Sequence, residues 1–591
     1  MTKMNNLGAD GFCSSLFKYQ RLKTAQIHVG DLTLGGDAPI RIQSMTTTDT
    51  NNTEASADQS ERIAKAGGEI VRLTTQGERE ALNIGRVREE LRKRGVGTPL
   101  VADVHFNRKA AETAANYVEA VRINPGNYTG EAKRFNMYAD NLTDAEWHNI
   151  IVEKLRPLVR ICKAHGTAIR IGVNHGSLSD RVMAKYGDTP EGMVASCTEY
   201  LDAFDELGFD EIAISIKSSN TRVMVETVRL LAATLRHRGK VFPLHLGVTE
   251  AGSDAEGRIK SAAGIGALLN DGLGDTVRVS LTEAPEAEIP VAKALVSYCA
   301  RLSDTKEVEA VDASHYSPYS YQRRDTAANS RKIGGSNAPT VIVVTEGNAA
   351  GADSTLPSLP DADARAQIAR GEKNICLRLS DITDSETAGK IKGAEDVTLF
   401  GLTESGNPMA ELRAMALELA NKGIKHPLVG CYTSDAQNLS QLQLEMSADM
   451  GGLFIDGLLD GICIYAPAIE PEAVAESGQI LLQACRARFD RTEFISCPGC
   501  GRTLYNIQDT VAKIKNELGH LGGLKIGIMG CIVNGIGEMA DADYGYVGAG
   551  RGKISLYRGK EVVKRSIEES EALEALKQII KEDGRWTEKI K

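Results

Sequence analysis

Residues 99–126, PLVADVHFNRKAAETAANYVEAVRINPG, hold one full unit of the pattern that decides the fold. A strand-like run is followed by an Ala-rich helical stretch and then by a second strand-like run. The same unit recurs on both sides. Upstream lie PIRIQSM (39–45) and IVRLTT (70–75); downstream lie AIRIGVN (168–174), EIAISIKS (211–218), PLHLGVTE (243–250) and TVRVSL (276–281). That makes eight strands with helical patterns between them in about 280 residues, the length of a TIM (β/α)8 barrel. A doubly wound open sheet is the alternative. Eight evenly spaced units without a dinucleotide-binding glycine fingerprint favour closure.

The whole chain has 591 residues, so at about 150 residues per domain three or four domains are expected. We divide it as a barrel over 1–303, an α/β insert over 304–490 and a small α/β domain over 491–591. The insert opens on a polar stretch, DASHYSPYSYQRRDTAANSRK (312–332), which reads as a linker or exposed loop. After it the β/α pattern resumes in TVIVVTE, ICLRLSD, VTLFGLT, PLVGCYT and GICIY. Residues 282–302 and 468–489 resemble each other as a strand exit followed by an amphipathic helix, so the insert reads as a partial, barrel-like βα array. Composition is 42% hydrophobic and 25% charged, enough for packed cores. A net charge of −10 argues against a nucleic-acid-binding protein. The absence of any run of about 18 apolar residues argues against a membrane span, and the N-terminus lacks an apolar signal core, so a cytoplasmic location is expected.

Strand alternation puts every second side chain on one face. Arg122 then shares a face with Asn124, Arg170 with Asn174, Arg278 with Ser280, and Asp103 with His105; Lys217 follows Ser215, and Thr249 follows His245 and Gly247. The apolar face must pack on the surrounding helices, so the polar set points inward at the C-terminal mouth. Arg72, Arg122, Arg170, Lys217 and Arg278 converge there. Unpaired cations in a dry cavity are very unfavourable, and Asp103 and Glu250 neutralise only part of them. The remainder points to a multiply charged anion, most simply a phosphate or diphosphate, which arginine recognises through its planar fork. Strand-end ion pairs with no ligand would account for one such arginine better than for five cations on successive strands. The stretch KSAAGIG (260–266) lies where barrels often bind phosphate, though two glycines alone are a weak signal.

Eleven cysteines in so long a chain are no disulfide framework. Eight are scattered and read as small core residues. The other three lie in SCPGCGRT (496–503) and GCIVNGIGE (530–538): C-x2-C, thirty residues, a third Cys, six more residues and Glu538. Three chemistries fit this spacing. A thioredoxin-like redox pair leaves Cys531 unexplained. A structural zinc site commonly brings a second C-x-x-C. An iron–sulfur cluster on three thiolates leaves one iron open or weakly held, as catalysis requires.

Taken together, QSMTTTDT (43–50), PLVADVHF, VRINPGN, RIGVNHGSL (170–178), PLHLGVTEAG, KSAAGIGALL, GDTVRVSL, CPGCGRT and GCIVNGIGE resemble, in that order, the 4-hydroxy-3-methylbut-2-enyl diphosphate synthase family. These are the iron–sulfur enzymes of the non-mevalonate isoprenoid pathway, and the insert resembles their long, three-domain form. The resemblance implies a two-electron reductive ring opening and dehydroxylation of 2-C-methyl-D-erythritol 2,4-cyclodiphosphate to the linear allylic diphosphate. It also implies one 4Fe–4S cluster on Cys497, Cys500 and Cys531, with Glu538 as a displaceable fourth ligand. The diphosphate is then expected on Arg72, Arg122, Arg170, Lys217 and Arg278, with hydrogen bonds from Asn124, Asn174, Thr249 and Ser280. Asp103, His105 and Glu250 are the candidates for proton handling, and Glu250 is the preferred acid. Reduced ferredoxin or flavodoxin is the expected electron donor, and a homodimer stays open. Closure of the cluster domain over the barrel mouth implies a hinge near Arg491. Ile536 departs from the proline that the family commonly carries there.

Two other readings stand beside this one: a redox-neutral barrel transferase of pterin synthase type with a structural zinc domain, and a non-catalytic sensor of a phosphate ligand.

Overall fold

The computed structural model of the chain describes residues 8, 11–130, 142–359, 363–532, 535, 537, 539 and 541–589. A short antiparallel hairpin, β1 (Ile27–Val29) and β2 (Leu32–Leu34), precedes the barrel. The barrel strands are β3 (Arg41–Met45), β4 (Ile70–Thr75), β5 (Leu100–Val104), β6 (Ala120–Ile123), β7 (Ala168–Asn174), β8 (Ile212–Lys217), β9 (Leu244–Leu246) and β10 (Thr276–Val277). All are parallel, and the pairing Thr276↔Arg41 closes β10 onto β3. Each of the eight expected strands is therefore present in a closed TIM barrel.

Alternation sorts the strand residues into two sets. Val71, Leu73, Val121, Ile123, Ile169 and Ile171 pack outward on the helices. Ile70, Val101, Ala120, Ala168 and Ala213 point inward and form a small apolar layer with Ile27, Val29 and Leu34 of the hairpin. The hairpin thus plugs the N-terminal end of the barrel, and the inward polar residues stand above this dry floor.

The insert holds β11 (Thr340–Val344), β12 (Ser354–Leu356), β13 (Asn374–Leu377), β14 (Thr398–Gly401), β15 (Leu428–Thr433) and β16 (Gly461–Tyr465). The sheet is parallel throughout, in the order β12-β11-β16-β15-β14-β13. Its run β11-β16-β15-β14-β13 repeats the barrel run β3-β10-β9-β8-β7, so the insert is half a barrel. The likeness extends to single bonds. In the barrel, Asp275 accepts from Arg21 (2.9 Å), Thr24 (3.0 Å) and the Leu244 amide (2.8 Å). In the insert, Asp460 accepts from Arg323 (3.0 Å), Thr326 (3.1 Å) and the Leu428 amide (3.0 Å). The stretch 312–332 is the largely exposed, irregular segment that its polarity suggests, but a few of its side chains anchor it. It packs against the insert as the segment around Arg21 packs against the barrel, and Tyr316 in it is buried and donates to Asp456 at 2.6 Å.

The two repeats meet face to face. Helix Asp254–Asn270 of the barrel lies against helix Leu439–Ile455 of the insert. A Cβ at Gly266 would fall 2.7 Å from the Ala448 Cα, and one at Gly451 would fall 2.7 Å from the Ala263 Cα. Glycine on both sides permits this approach. KSAAGIG is therefore the middle of a helix whose glycines serve packing, not a phosphate loop. Beside it, Arg229 pairs with Asp271 (2.8 Å) and Asp456 (2.6 Å), and Arg413 with Asp271 (3.0 Å) and Asp456 (3.7 Å). All four side chains are buried.

The C-terminal domain is a five-stranded sheet of β17 (Glu493–Ser496), β18 (Lys525–Met529), β19 (Tyr544–Gly550), β20 (Lys553–Arg558) and β21 (Glu561–Glu568), in that order. The first three strands are parallel and the last two antiparallel. Helices Ile507–Leu518 and Glu569–Glu582 share its core. Among the described residues, no helix is long and apolar enough to cross a membrane.

Replacing Asp271 with Ala leaves two buried arginines sharing one carboxylate. The expected cost is on the order of 3 kcal/mol, read as a lower denaturant midpoint. An unchanged midpoint would mean that this ion cluster does not hold insert and barrel together.

Candidate active site

Two sets of strand ends meet at one cavity. The barrel contributes the C-terminal ends of its strands, and the cluster-type cysteines leave the C-terminal ends of β17 and β18. Counting its open mouth, the cavity holds about 750 Å³. It is lined by Arg72, Asp103, His105, Arg122, Asn174 and Lys217, by Thr249, Glu250, Arg278 and Ser280, and by all three of Cys497, Cys500 and Cys531.

Arg122 is the most connected of the cations. It donates to Asp103 Oδ1 (3.3 Å), His105 Nε2 (2.6 Å), the Gly172 carbonyl (2.9 Å) and Asn174 Oδ1 (2.7 Å). A methyl group at Gly172 would collide with the Arg122 side chain, so the inward position after Arg170 on β7 is glycine. Arg278 forms a two-point pair with Glu288, at 3.0 Å through both Nε and Nη2. Among the described residues Arg72 hydrogen-bonds the sulfur of Met45, at 3.2 and 3.1 Å. Arg170 is paired in register with Arg122 but does not line the cavity, and its Nε and Nη1 have no partner among the described residues. Asn124 is also outside the lining; its side chain accepts from the Gly126 amide (3.0 Å) as a helix cap. Glu538 and Ile536 lie outside the described residues.

Three lining or supporting groups escape a reading of strand alternation. Glu288 sits at the start of a helix, ten residues beyond the arginine it pairs with. Met45 is an apolar residue in a polar role. Arg502, two residues after Cys500, is carried by the other domain and stands 3.7 Å from Asp103. Its place in the cysteine motif was the available signal.

The electrostatics follow from this packing. Six cations (Arg72, Arg122, Arg170, Lys217, Arg278 and Arg502) face three carboxylates (Asp103, Glu250 and Glu288) among the described residues, a surplus of three. Burial and the surrounding arginines hold Lys217 well below its ordinary 10.5. Burial and like charges pull Arg170 to about 9 and Arg72 to about 10, with Asp103 opposing. Burial alone would raise Asp103, but Arg72, Arg122 and His105 keep it well below the usual carboxylate range. Burial, Arg122 and Arg502 push His105 down to about 3 against the pull of Asp103. At neutral pH Asp103 is thus an anion and His105 a neutral acceptor.

The cysteine segments are held open toward the cavity. Gly499 turns the chain between Cys497 and Cys500 with φ 82°, and the Cys500 amide donates to Thr503 Oγ1 at 2.9 Å. The Gly530 amide donates to Cys497 Sγ at 3.2 Å, the kind of bond that tunes thiolate sites. No three His, Cys, Asp or Glu side chains among the described residues are grouped tightly enough for a single metal ion. All three cysteines line the one cavity. The other eight cysteines are all buried.

Comparison with known proteins agrees with this architecture. The GcpE TIM-barrel domain family matches residues 24–293, and the GcpE protein C-terminal domain family matches residues 493–582. A protein of Phocaeicola vulgatus named 4-hydroxy-3-methylbut-2-en-1-yl diphosphate synthase (flavodoxin) is 48% identical, over 97% of this chain and 100% of its own. A protein of the same name from Porphyromonas gingivalis is 46% identical, over 97% and 100%. Among solved structures, a truncated 3-deoxy-D-arabino-heptulosonate 7-phosphate synthase from Thermotoga maritima aligns with a TM-score of 0.29 and 13% identity, over 48% of this chain and 93% of its own. Yersinia pestis dihydropteroate synthase aligns with a TM-score of 0.30 and 12% identity, over 46% and 99%.

A cavity with surplus cations and a depressed Lys217 should bind inorganic diphosphate with uptake of protons. The anion raises the lysine pKa, so affinity should fall as pH rises through the window below 10.5. Calorimetry in buffers of different ionisation enthalpy measures the uptake. Binding that is independent of pH would remove Lys217 from the anion site.

Proposed function

Because the chain belongs to the GcpE family, we propose that it is a 4-hydroxy-3-methylbut-2-en-1-yl diphosphate synthase acting at the cavity between barrel and C-terminal domain. The observation that carries this reading is that one cavity is lined at once by the barrel cations and by all three clustered cysteines. Residues 1–303 bind the substrate, residues 491–591 carry the redox group, and the half-barrel of 304–490 holds the two in place.

The substrate is 2-C-methyl-D-erythritol 2,4-cyclodiphosphate. Two electrons and one proton enter. The ring C–O bond breaks with its electron pair on the phosphate oxygen, the neighbouring hydroxyl leaves as water, and a carbon–carbon double bond forms. The product therefore carries one more negative charge on its diphosphate than the substrate, and a surplus of cations favours that change. Arg122, Lys217 and Arg278 bind the diphosphate, Arg72 and Arg170 add charge from behind, and Asn174, Thr249 and Ser280 supply hydrogen bonds.

Asp103 and His105 are held in the wrong protonation states to act as acids, so they orient Arg122 instead. Glu250 gives the proton to the departing hydroxyl.

The residues present fit a 4Fe–4S cluster: three cysteines line one cavity, the Gly530 amide donates to Cys497 Sγ, and the second C-x-x-C that a structural zinc site commonly brings is missing from the motif. Cys497, Cys500 and Cys531 would hold it, with Glu538 as the fourth ligand. When bound, the cluster would pass the two electrons, one at a time, from the external donor to the substrate. The relatives' names specify flavodoxin, and reduced flavodoxin is the donor in this reading.

Purified without oxygen, the protein should be brown and should convert the cyclic diphosphate when given reduced flavodoxin. Cys500→Ser should lose both the absorption and the turnover; a colourless, zinc-containing, fully active protein would overturn the reading. Glu250→Gln should keep the cluster spectrum and lose about 10²–10⁴ in kcat. Unchanged kcat would assign the proton to another group.

A further inference from the structure

The cavity is assembled from two domains, and one residue joins its halves. Thr282 follows Arg278 and Ser280 at alternate positions beyond β10 and is buried. Its amide donates to the Gly252 carbonyl at 2.9 Å, on the turn that carries Glu250 out of β9. Its hydroxyl lies 3.0 Å from Ser496 Oγ, 3.4 Å from the Ser496 carbonyl and 3.3 Å from the Cys497 carbonyl. Ala251, five residues beyond β9, forms an isolated parallel bridge with Ser496 at the end of β17, so the turn after β9 is tied directly to the strand that leads into Cys497.

Glu250, at the head of that turn, has φ 48°. A residue with a Cβ adopts this left-handed conformation only where its surroundings impose it. The two residues after it supply the restraint. Ala251 is held by Ser496 from the cluster side, and Gly252 by Thr282 from the barrel side. Other links to the C-terminal domain include the ion pairs of Lys515 with Glu256 at 2.6 Å, Arg502 with Asp103 at 3.7 Å and, from the insert, Arg486 with Asp541 at 3.3 Å, and the hydrogen bond from Asn220 to Asp541 at 3.4 Å. Lys515 also donates to Ser253 Oγ at 3.2 Å, one residue beyond Gly252, so it steadies the far end of the same turn while Ser496 and Thr282 act on Ala251 and Gly252.

We propose that Thr282 is a positioning residue that registers the Glu250 carboxylate against the strand ending at Cys497, so that the proton donor is set only when the cluster strand is docked. This rests on the reading of Glu250 and the cysteines given above. The conformation of Glu250 then depends on the arrival of the redox group, and a barrel standing alone would not hold it.

Thr282→Val keeps the shape and removes the hydroxyl; Thr282→Ser keeps the hydroxyl. In the anaerobic full-length enzyme, Thr282→Val should retain wild-type iron content and thermal midpoint and keep KM within about twofold, while kcat falls at least about tenfold. Thr282→Ser should recover most of that loss. Ser496→Ala should lower kcat in the same way, and the double variant should be no worse than the more affected single one, because both remove one shared contact. Unchanged kcat in Thr282→Val, additive losses in the double variant, or loss of iron in step with loss of kcat would each overturn the proposal. Wild-type protein lacking iron or turnover would overturn it together with the reading of the site, whereas an active wild type with an indifferent Thr282→Val overturns it alone.

Discussion

Surplus positive charge in a buried space is the constraint on which the rest of this structure depends. A barrel interior is normally filled with branched apolar side chains. Here only the bottom layer is, through Ile70, Val101, Ala120, Ala168 and Ala213 with the plugging hairpin. Above that layer the inward positions carry guanidinium and ammonium groups, and burial together with the neighbouring arginines holds Lys217 below its ordinary range. The protein offsets part of this with Glu288 on Arg278 and Asp103 on Arg122 and leaves the remainder. Such a site is unstable by itself and selective for that reason, because an anion with several charges relieves what the protein does not.

Stability must therefore come from elsewhere, and the half-barrel is one source. Its contact with the barrel is reciprocal in the way a symmetric dimer contact is: Gly266 meets Ala448, and Ala263 meets Gly451. The four-membered cluster of Arg229, Asp271, Arg413 and Asp456 has the same exchange symmetry, each arginine touching both aspartates. A buried ion cluster adds little net stability over apolar packing, but it penalises any slip of one repeat along the other. Register is what this interface has to supply, since helix Asp254–Asn270 begins three residues after Ala251, which bridges to the cluster strand.

Much of the fold was legible because period-two alternation and regular spacing survive in the sequence. All eight barrel strands could be placed, and the inward cations followed from counting alternate residues. What failed had local causes. The polar composition of 312–332 rightly suggested a loop, but it did not reveal that Arg323, Arg324 and Thr326 are polar because they satisfy one buried carboxylate, Asp460. The glycines of 260–266 suggested a phosphate turn, and composition cannot separate that use from close helix packing. At the site, Arg72, Arg122, Lys217 and Arg278 were recoverable from one strand each. Asn124 shared their face but was diverted to a cap. Glu288 was not recoverable, because it acts across a gap between elements that no local pattern encodes; Arg502 and Thr282 had a local signal, the cysteine motif and the alternation after Arg278, but their partners lie in the other domain.

Domain separation also follows from charge. Thiolates and a diphosphate are both anionic, and bringing them together in a dry cavity is unfavourable unless cations stand between them. The barrel alone provides cations on the substrate side. Arg502 provides one from the cysteine side, next to Cys500 in sequence and 3.7 Å from Asp103 across the joint. Docking the two domains thus adds a positive charge at the same moment as it adds negative ones. It also brings that charge against Asp103, the carboxylate that anchors Arg122. A single domain could hold the same atoms, but here the charges that face the cavity come from two domains, and their balance is completed only where the two meet.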